Sequence, residues 1–313
     1  MAQTSMVTDK PMVEELTSFY SEGVKLDASF FWPGEGNVAA DKPVFIICSG
    51  FTGLKSIHPA RYSRFFTRMG YPCFGFDYRG FEKSEGERKR VLLEEQIEDI
   101  VHAVSYVSSH PKTVGRPIIL MGWGMAGGMI FESARLLLEN DKINLKALVA
   151  ANGFYNAIRV QKALRGKEGW QEFGNWLQEA RSKAAVSGEV PEVDPFRVYP
   201  LDPVSEEYVN RVLRAVPGYN EGAQVRLNFA DSLLRFAPEN NLDTFEKIPL
   251  LIVHGDQNAL HPVSEAESLY KKYPGPKKLH WVPEAGHTEW MLDENQKFQD
   301  LVVAIDRWVR ELK

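Results

Sequence analysis

Short apolar runs alternating with longer amphipathic stretches organise the first half of the chain. The segments ELTSFYSEG and VKLDASFFWP alternate in polarity and read as an antiparallel strand pair turning at Gly23. PVFIICSG is nearly continuous in its apolar character, the mark of a central strand buried on both faces. The pattern then predicts a helix after Ser56, with Pro59 suited to a first helical turn. A strand at YPCFGFDYRG and a helix through LLEEQIEDIVHAVSYVSSH follow. The third unit is strand PIILMGW and helix AGGMIFESARLLLEN, then strand LKALVAANGF. Strands alternating with helices on this scale predict an α/β protein with a doubly wound, mainly parallel sheet.

The alternation stops between about Phe154 and Phe245, where the chain is amphipathic and helical and carries Trp170, Trp176 and the loop VYPLDPVSEEY. It resumes with strand IPLLIVHGD, helix VSEAESLYKKY, strand KKLHWVPEAGH and a closing helix to Lys313. An insertion between strands of such a sheet lies over their carboxyl ends, where ligands bind. The expected organisation is therefore a core of residues 1–153 and 246–313 interrupted by a helical cap at 154–245. A packing lobe with no ligand role is the alternative for that insert.

Composition narrows the class. A chain of 313 residues buries a large core as one α/β domain with a lobe. A net charge of −5 gives no basic footprint for nucleic acid or anionic lipid. The start, MAQTSMVTDKPMVEE, lacks the basic and apolar regions of a signal peptide, and no apolar run reaches the length of a membrane span. Cys48 and Cys73 sit in strand-like runs, as expected of two reduced buried thiols in a soluble cytoplasmic protein. The seven histidines have no metal-ligand spacing, and no glycine fingerprint marks a dinucleotide site. No cofactor is expected.

IILMGWGMAGG is the segment that points to chemistry. A strand ending in such a glycine-rich turn before a helix is where many hydrolases mount a serine or cysteine nucleophile. Gly124 occupies that place. Taken with the CSGFTGLK loop, DYRGFEKSEG, HGDQNALHP and EAGHTEW, in that strand order, the chain resembles the α/β-hydrolase superfamily. The resemblance runs from about Thr17 to the C-terminus, the cap excepted. It is nearest the capped branch that includes dienelactone-hydrolase-like and acyl-transfer enzymes.

The resemblance implies a nucleophile position at Gly124 and an oxyanion hole formed by the backbone N–H groups of Met125 and Phe51. It implies a general acid or base at His287, in the Gly-His loop after the last strand. The family's aspartate falls on Asn258, which would accept a hydrogen bond from the histidine ring without supplying negative charge. Asp256 is the alternative acid, and the position after the strand ending near Ala151 offers only Asn152. Trp123, Tyr155 and Trp290 flank these motifs and are candidates for lining the pocket. His58 and His261 each open a helix beside a proline near the expected pocket; a capping or surface role is expected, with a ligand contact as the alternative. Cys48 is expected to be a small buried hydrophobe, with a nucleophile as the alternative.

The leading expectation is a cofactor-free enzyme acting on a carbonyl compound by hydrolysis, carbon–carbon cleavage, elimination or cyclisation. His287 would move the proton and no covalent serine intermediate would form. A catalytically silent ligand-binding protein of the same fold is one alternative. An esterase, thioesterase or acyl transferase whose nucleophile was replaced by engineering is the other. The expected partner is a small-molecule carbonyl substrate, with no nucleic acid and no membrane, and a homodimer is compatible with the sequence.

Overall fold

The computed structural model describes residues 12–34, 38–39, 41–51, 53–138, 142–216 and 224–312. Most of the amino-terminal stretch read for a signal peptide, Thr52 of the glycine loop and Lys313 lie outside them.

Strands β1 (Val13–Ser21) and β2 (Val24–Trp32) form the antiparallel opening pair. Then come β3 (Val44–Cys48), helix α1 (His58–Arg68), β4 (Cys73–Phe76) and α2 (Leu93–Ser109). They are followed by β5 (Ile118–Trp123), α3 (Met125–Leu137) and β6 (Leu145–Ala151). In α1, Pro59 sits in the first turn, where its missing N–H has no intrahelical acceptor to lose. Every residue of β3 and β5 is buried, as continuous apolar runs require of strands covered on both faces.

The insert begins with α4 (Ala157–Ser187), whose N-cap Asn156 accepts from the N–H of Arg159. The expected amphipathic stripe is broken, because Gly166 lies at φ 66°, ψ −176° inside the helix. Only a residue without Cβ takes that conformation cheaply, and the turn it makes puts the two halves out of phase. After it, β7 (Glu192–Val193) pairs antiparallel with β8 (Val225–Arg226), so the insert is not wholly helical. Helices α5 (Pro195–Val198), α6 (Pro203–Arg211) and α7 (Asn228–Arg235) complete it. Asp194 and Asp202 cap α5 and α6, each Asp before Pro accepting backbone N–H bonds in the first turn.

The core resumes with β9 (Leu250–Gly255), α8 (Val263–Lys272), β10 (Lys277–Val282) and α9 (Gln296–Glu311). The sheet has eight strands in the order β1-β2-β4-β3-β5-β6-β9-β10. Only β1/β2 and β2/β4 are antiparallel; the strands from β4 to β10 run parallel. Helices and the insert cover both faces, giving two buried apolar clusters. The fold is therefore α/β with a doubly wound, mainly parallel sheet and a cap inserted between β6 and β9. No described helix is long and apolar enough to cross a membrane.

Candidate active site

Loops leaving the carboxyl ends of β3, β5, β6, β9 and β10 converge. Gly124 follows β5 directly and is the N-cap of α3, at φ 57° and ψ −123°. Its N–H donates to the carbonyl of Ala151, which ties the turn to the end of β6. That conformation costs an L-residue of order 1–3 kcal/mol and costs glycine nothing comparable. A Cβ on Gly124 would stand 3.5 Å from Nε2 of His287, so the histidine faces the space above the turn.

The loop after β3 crosses close to this turn. A Cβ on Gly50 would lie 3.0 Å from the Trp123 carbonyl oxygen and 3.6 Å from the N of Met125. Phe51 and Met125 both line the cavity beside Gly124. Met125 is the first residue of α3, where a helix leaves its N–H without an intrahelical acceptor. The same helix end carries partial positive charge. The loop is anchored behind by Lys55, whose backbone N–H donates to Asp77 at 2.6 Å and whose ammonium pairs with Asp27 and Asp77.

His287 is buried and held from two sides. Asn152, at the end of β6, donates its amide to the carbonyl of His287 at 2.6 Å and accepts the N–H of Gly255 at 2.8 Å. It thus fixes the backbone of the histidine loop without touching the ring. The ring's Nδ1 lies 3.2 Å from Nδ2 of Asn258. Oδ1 of Asn258 accepts the backbone N–H of His261 at 2.9 Å. An amide rotated the other way would set Nδ2 against that N–H, donor against donor, so Nδ2 is the group that faces His287. The expectation that Asn258 accepts from the ring is therefore reversed. The amide donates, Nδ1 is the acceptor, and the proton of neutral His287 sits on Nε2, toward Gly124.

The ring is neutral for physical reasons. Burial holds His287 well below the usual histidine range, and nearby His261, His254 and His58 add to the shift. His261 lies edge-on to it, with ring centroids 4.5 Å apart. Nδ1 of His261 donates to the Asn152 carbonyl at 2.5 Å, and its Nε2 accepts from the hydroxyl of Tyr199 in the cap. Burial lowers His261 and His58 to about 3 and His254 to about 4.

The remaining expectations divide. Asp256 is exposed on the turn after β9, whereas His287 is buried. Trp123 lines the cavity; Tyr155 and Trp290 are not among the described lining residues. Tyr155 packs on Phe131, and Trp290 donates to the Gly286 carbonyl and packs edge-on to Trp123. Both are buried aromatics. Cys48 is a buried free thiol, and burial pushes its ionisation up, away from nucleophilic use.

His58 and His261 depart from their expected surface or capping roles: both are buried, and His58 lines the cavity. The cap contributes Phe196, Tyr199, Leu201 and Val209 from α5, α6 and their junction, which places the insert over the site. The cavity is narrow, about 60 Å³, and no Asp, Glu, Lys or Arg is among the described residues that line it. No group of described residues is arranged to hold a metal ion.

Phe51, Met125 and His287 thus line one pocket in which no Asp, Glu, Lys or Arg is among the described lining residues, surroundings in which hydrogen-bond donors would be strongest. Such donors act on an oxygen or a leaving group that gains negative charge.

Known proteins agree with the fold. Residues 40–295 match the family described as serine aminopeptidase, S33. Over 294 residues the chain is 26% identical to an uncharacterized 31.7 kDa protein of the traX-finO intergenic region of Escherichia coli, spanning 93% of this chain and 96% of that one. It is 23% identical over 311 residues to the thiohydrolase aneE of Aspergillus aculeatus, covering 93% and 91% of the two chains. The solved structure of DcsB, in complex with its substrate analogue, superposes with a TM-score of 0.73 at 20% identity, covering 96% and 99%. The chain belongs to the serine aminopeptidase S33 family of the α/β-hydrolase superfamily.

Proposed function

We propose that this chain is a cofactor-free enzyme that turns over a carbonyl compound without a covalent serine intermediate. The observation that carries the reading is the Asn258 amide facing Nδ1 of His287, which leaves an N–H on the side of Gly124. The backbone N–H groups of Phe51 and Met125 hold the carbonyl oxygen. A water, or a hydroxyl of the substrate itself, attacks the carbonyl carbon in the space above Gly124. As the tetrahedral adduct collapses, the incoming oxygen's proton passes to the leaving group, and Nε2–H of His287 donates a hydrogen bond to that group as its negative charge grows. Net, one proton passes from nucleophile to leaving group and the imidazole ends as it began.

Acyl transfer to water or to an internal hydroxyl suits this site best. An imidazole that starts as a donor assists departure first, whereas serine activation needs it to start as an acceptor. The relative that is a thiohydrolase supports an activated acyl group as substrate class. The test is a panel of acyl thioesters, esters and hydroxy-thioesters followed by NMR, with intact-mass spectra taken during turnover. Conversion with no acyl adduct on the protein is the expected result. An adduct of acyl mass at any residue would overturn the reading, as would conversion no faster than the uncatalysed rate throughout the panel.

A further inference from the structure

His58 is buried at 3% exposure, lines the cavity, and neither ring nitrogen has a hydrogen-bond partner among the described residues. Its ring stacks on Trp123, centroids 5.1 Å apart and 21° between planes, and the indole Nε1 also has no partner among the described residues. Both side chains line the same cavity as Gly124 and His287. Buried polar groups in folded proteins are nearly always paired, so an unpaired imidazole and indole at one cavity wall call for a ligand. The neighbouring Arg61 does not supply it. That guanidinium is committed to the Tyr208 hydroxyl, the Met291 carbonyl and the Asp293 carboxylate.

The ligand's chemistry follows from the wall. A neutral imidazole offers one donor and one acceptor, and the indole offers one donor. A hydroxyl can serve both kinds of partner; a carboxylate would leave the imidazole's acceptor unmatched. With no charged side chain among the described lining residues, an ionic group would enter the site without a counter-charge. Phe51, Phe196, Leu201, Val209, Leu213 and Leu260 make much of the remaining wall apolar, beside Thr288, Ser205, whose hydroxyl is bonded to Asp202, and Tyr199, whose hydroxyl is bonded to His261. We propose that His58, beside Trp123, receives a hydroxyl group of an uncharged, otherwise apolar carbonyl compound whose carbonyl lies at Gly124. This rests on the carbonyl site proposed above and adds the second polar group that the substrate must carry.

The test uses two isosteres, 4-hydroxybutan-2-one and pentan-2-one, which differ by a hydroxyl for a methyl. Each is titrated into the native protein, His58→Phe and His58→Gln, and binding is read by calorimetry. The native protein is expected to bind the hydroxyketone about tenfold more tightly, the size of one well-made hydrogen bond. His58→Phe should abolish or invert that preference, and His58→Gln, which keeps a donor and an acceptor, should retain part of it. His58→Leu gives the same reading as His58→Phe should the latter not fold. A native protein without the preference, saturable binding by neither ketone, or an undiminished preference in His58→Phe would each overturn the proposal. Neither ketone carries a leaving group on its carbonyl carbon, so acyl transfer cannot occur, and NMR of the recovered hydroxyketone checks that neither dehydration nor retro-aldol cleavage accompanies binding. Failure here leaves the His287 chemistry standing, and absence of turnover leaves this binding preference standing.

Discussion

Asn258 donates its side-chain N–H to Nδ1 of His287 across 3.2 Å while its own oxygen takes the backbone N–H of His261 at 2.9 Å. In a serine hydrolase a carboxylate at this position accepts from Nδ1–H, leaving Nε2 free to take the serine proton. Here the relation runs the other way. The side chain at 124 and the side chain at 258 therefore agree: one removes the hydroxyl, and the other removes the base that would activate it.

Gly124→Ser should consequently not yield an efficient serine esterase. The new Cβ would stand 3.5 Å from Nε2, close enough for a hydroxyl contact, but Nε2 carries a proton and would donate to the serine oxygen. Adding Asn258→Asp lets the carboxylate accept from Nδ1–H and frees Nε2, and should raise p-nitrophenyl ester turnover about 10²–10⁴-fold over the single variant. Both variants should melt a few degrees lower than the native protein, because a side chain at φ 57° costs about 1–3 kcal/mol. Ester turnover by Gly124→Ser alone that matches the double variant would show that the tautomer is not the obstacle.

Stability should fall in weak acid. His58, His254 and His261 hold folded values of about 3, 4 and 3 against 6.5 for the free side chain, each because burial disfavours the cation. The unfolded chain therefore takes up protons that the folded chain does not. The stability these residues contribute is complete above pH 6.5 and is lost as the pH falls toward 4. Each histidine adds a slope of up to about 1.4 kcal/mol per pH unit in that window. Asp77 works in the opposite sense between 3.8 and about 6, since burial raises its carboxyl, and offsets about one histidine. Urea titrations between pH 7 and 4.5 should show the decline, and His58→Phe should flatten its slope by about one proton. A pH-independent midpoint would contradict the buried neutral cluster.

The doubly wound, mainly parallel sheet and the strand-to-helix turn at Gly124 were legible because each rests on local periodicity. Continuous apolar runs could only be buried strands, and Gly124 stood at the end of one of them. The break at Gly166 was missed, since an isolated glycine in a polar helix leaves the apolar count almost unchanged. The direction of the Asn258 bond, the unpaired state of His58 and the reach of Tyr199 were not legible for a different reason. Which end of an amide faces a ring depends on the His261 N–H, and whether a histidine finds a partner depends on loops distant in sequence. The VYPLDPVSEEY loop held the signal for the cap's contribution, with apolar residues interleaved among turn residues. Nothing in it fixed that Tyr199 reaches His261.

Removing the imidazole separates an enzyme from a silent receptor. His287→Ala should lower turnover of a reactive acyl substrate by about 10²–10⁴-fold. Affinity for an unreactive analogue should change no more than about tenfold, the worth of one polar contact. The backbone donors at Phe51 and Met125 persist in the variant, so a residual rate above the uncatalysed reaction is expected. Native protein and variant binding the same compound without converting it would favour the receptor.

The central claim is that His287 presents a proton, not a lone pair, to the space above Gly124. The most direct measurement is the ¹⁵N spectrum of the His287 ring, with two-bond couplings from the ring carbons' protons to assign the two nitrogens, recorded from pH 5 to 8. The account predicts a neutral ring throughout, with Nδ1 of the unprotonated, pyridine type and Nε2 of the protonated, pyrrole type, and exchange of these two signatures in Asn258→Asp. A native ring protonated at Nδ1, or one that titrates to the cation near pH 6.5, would contradict it.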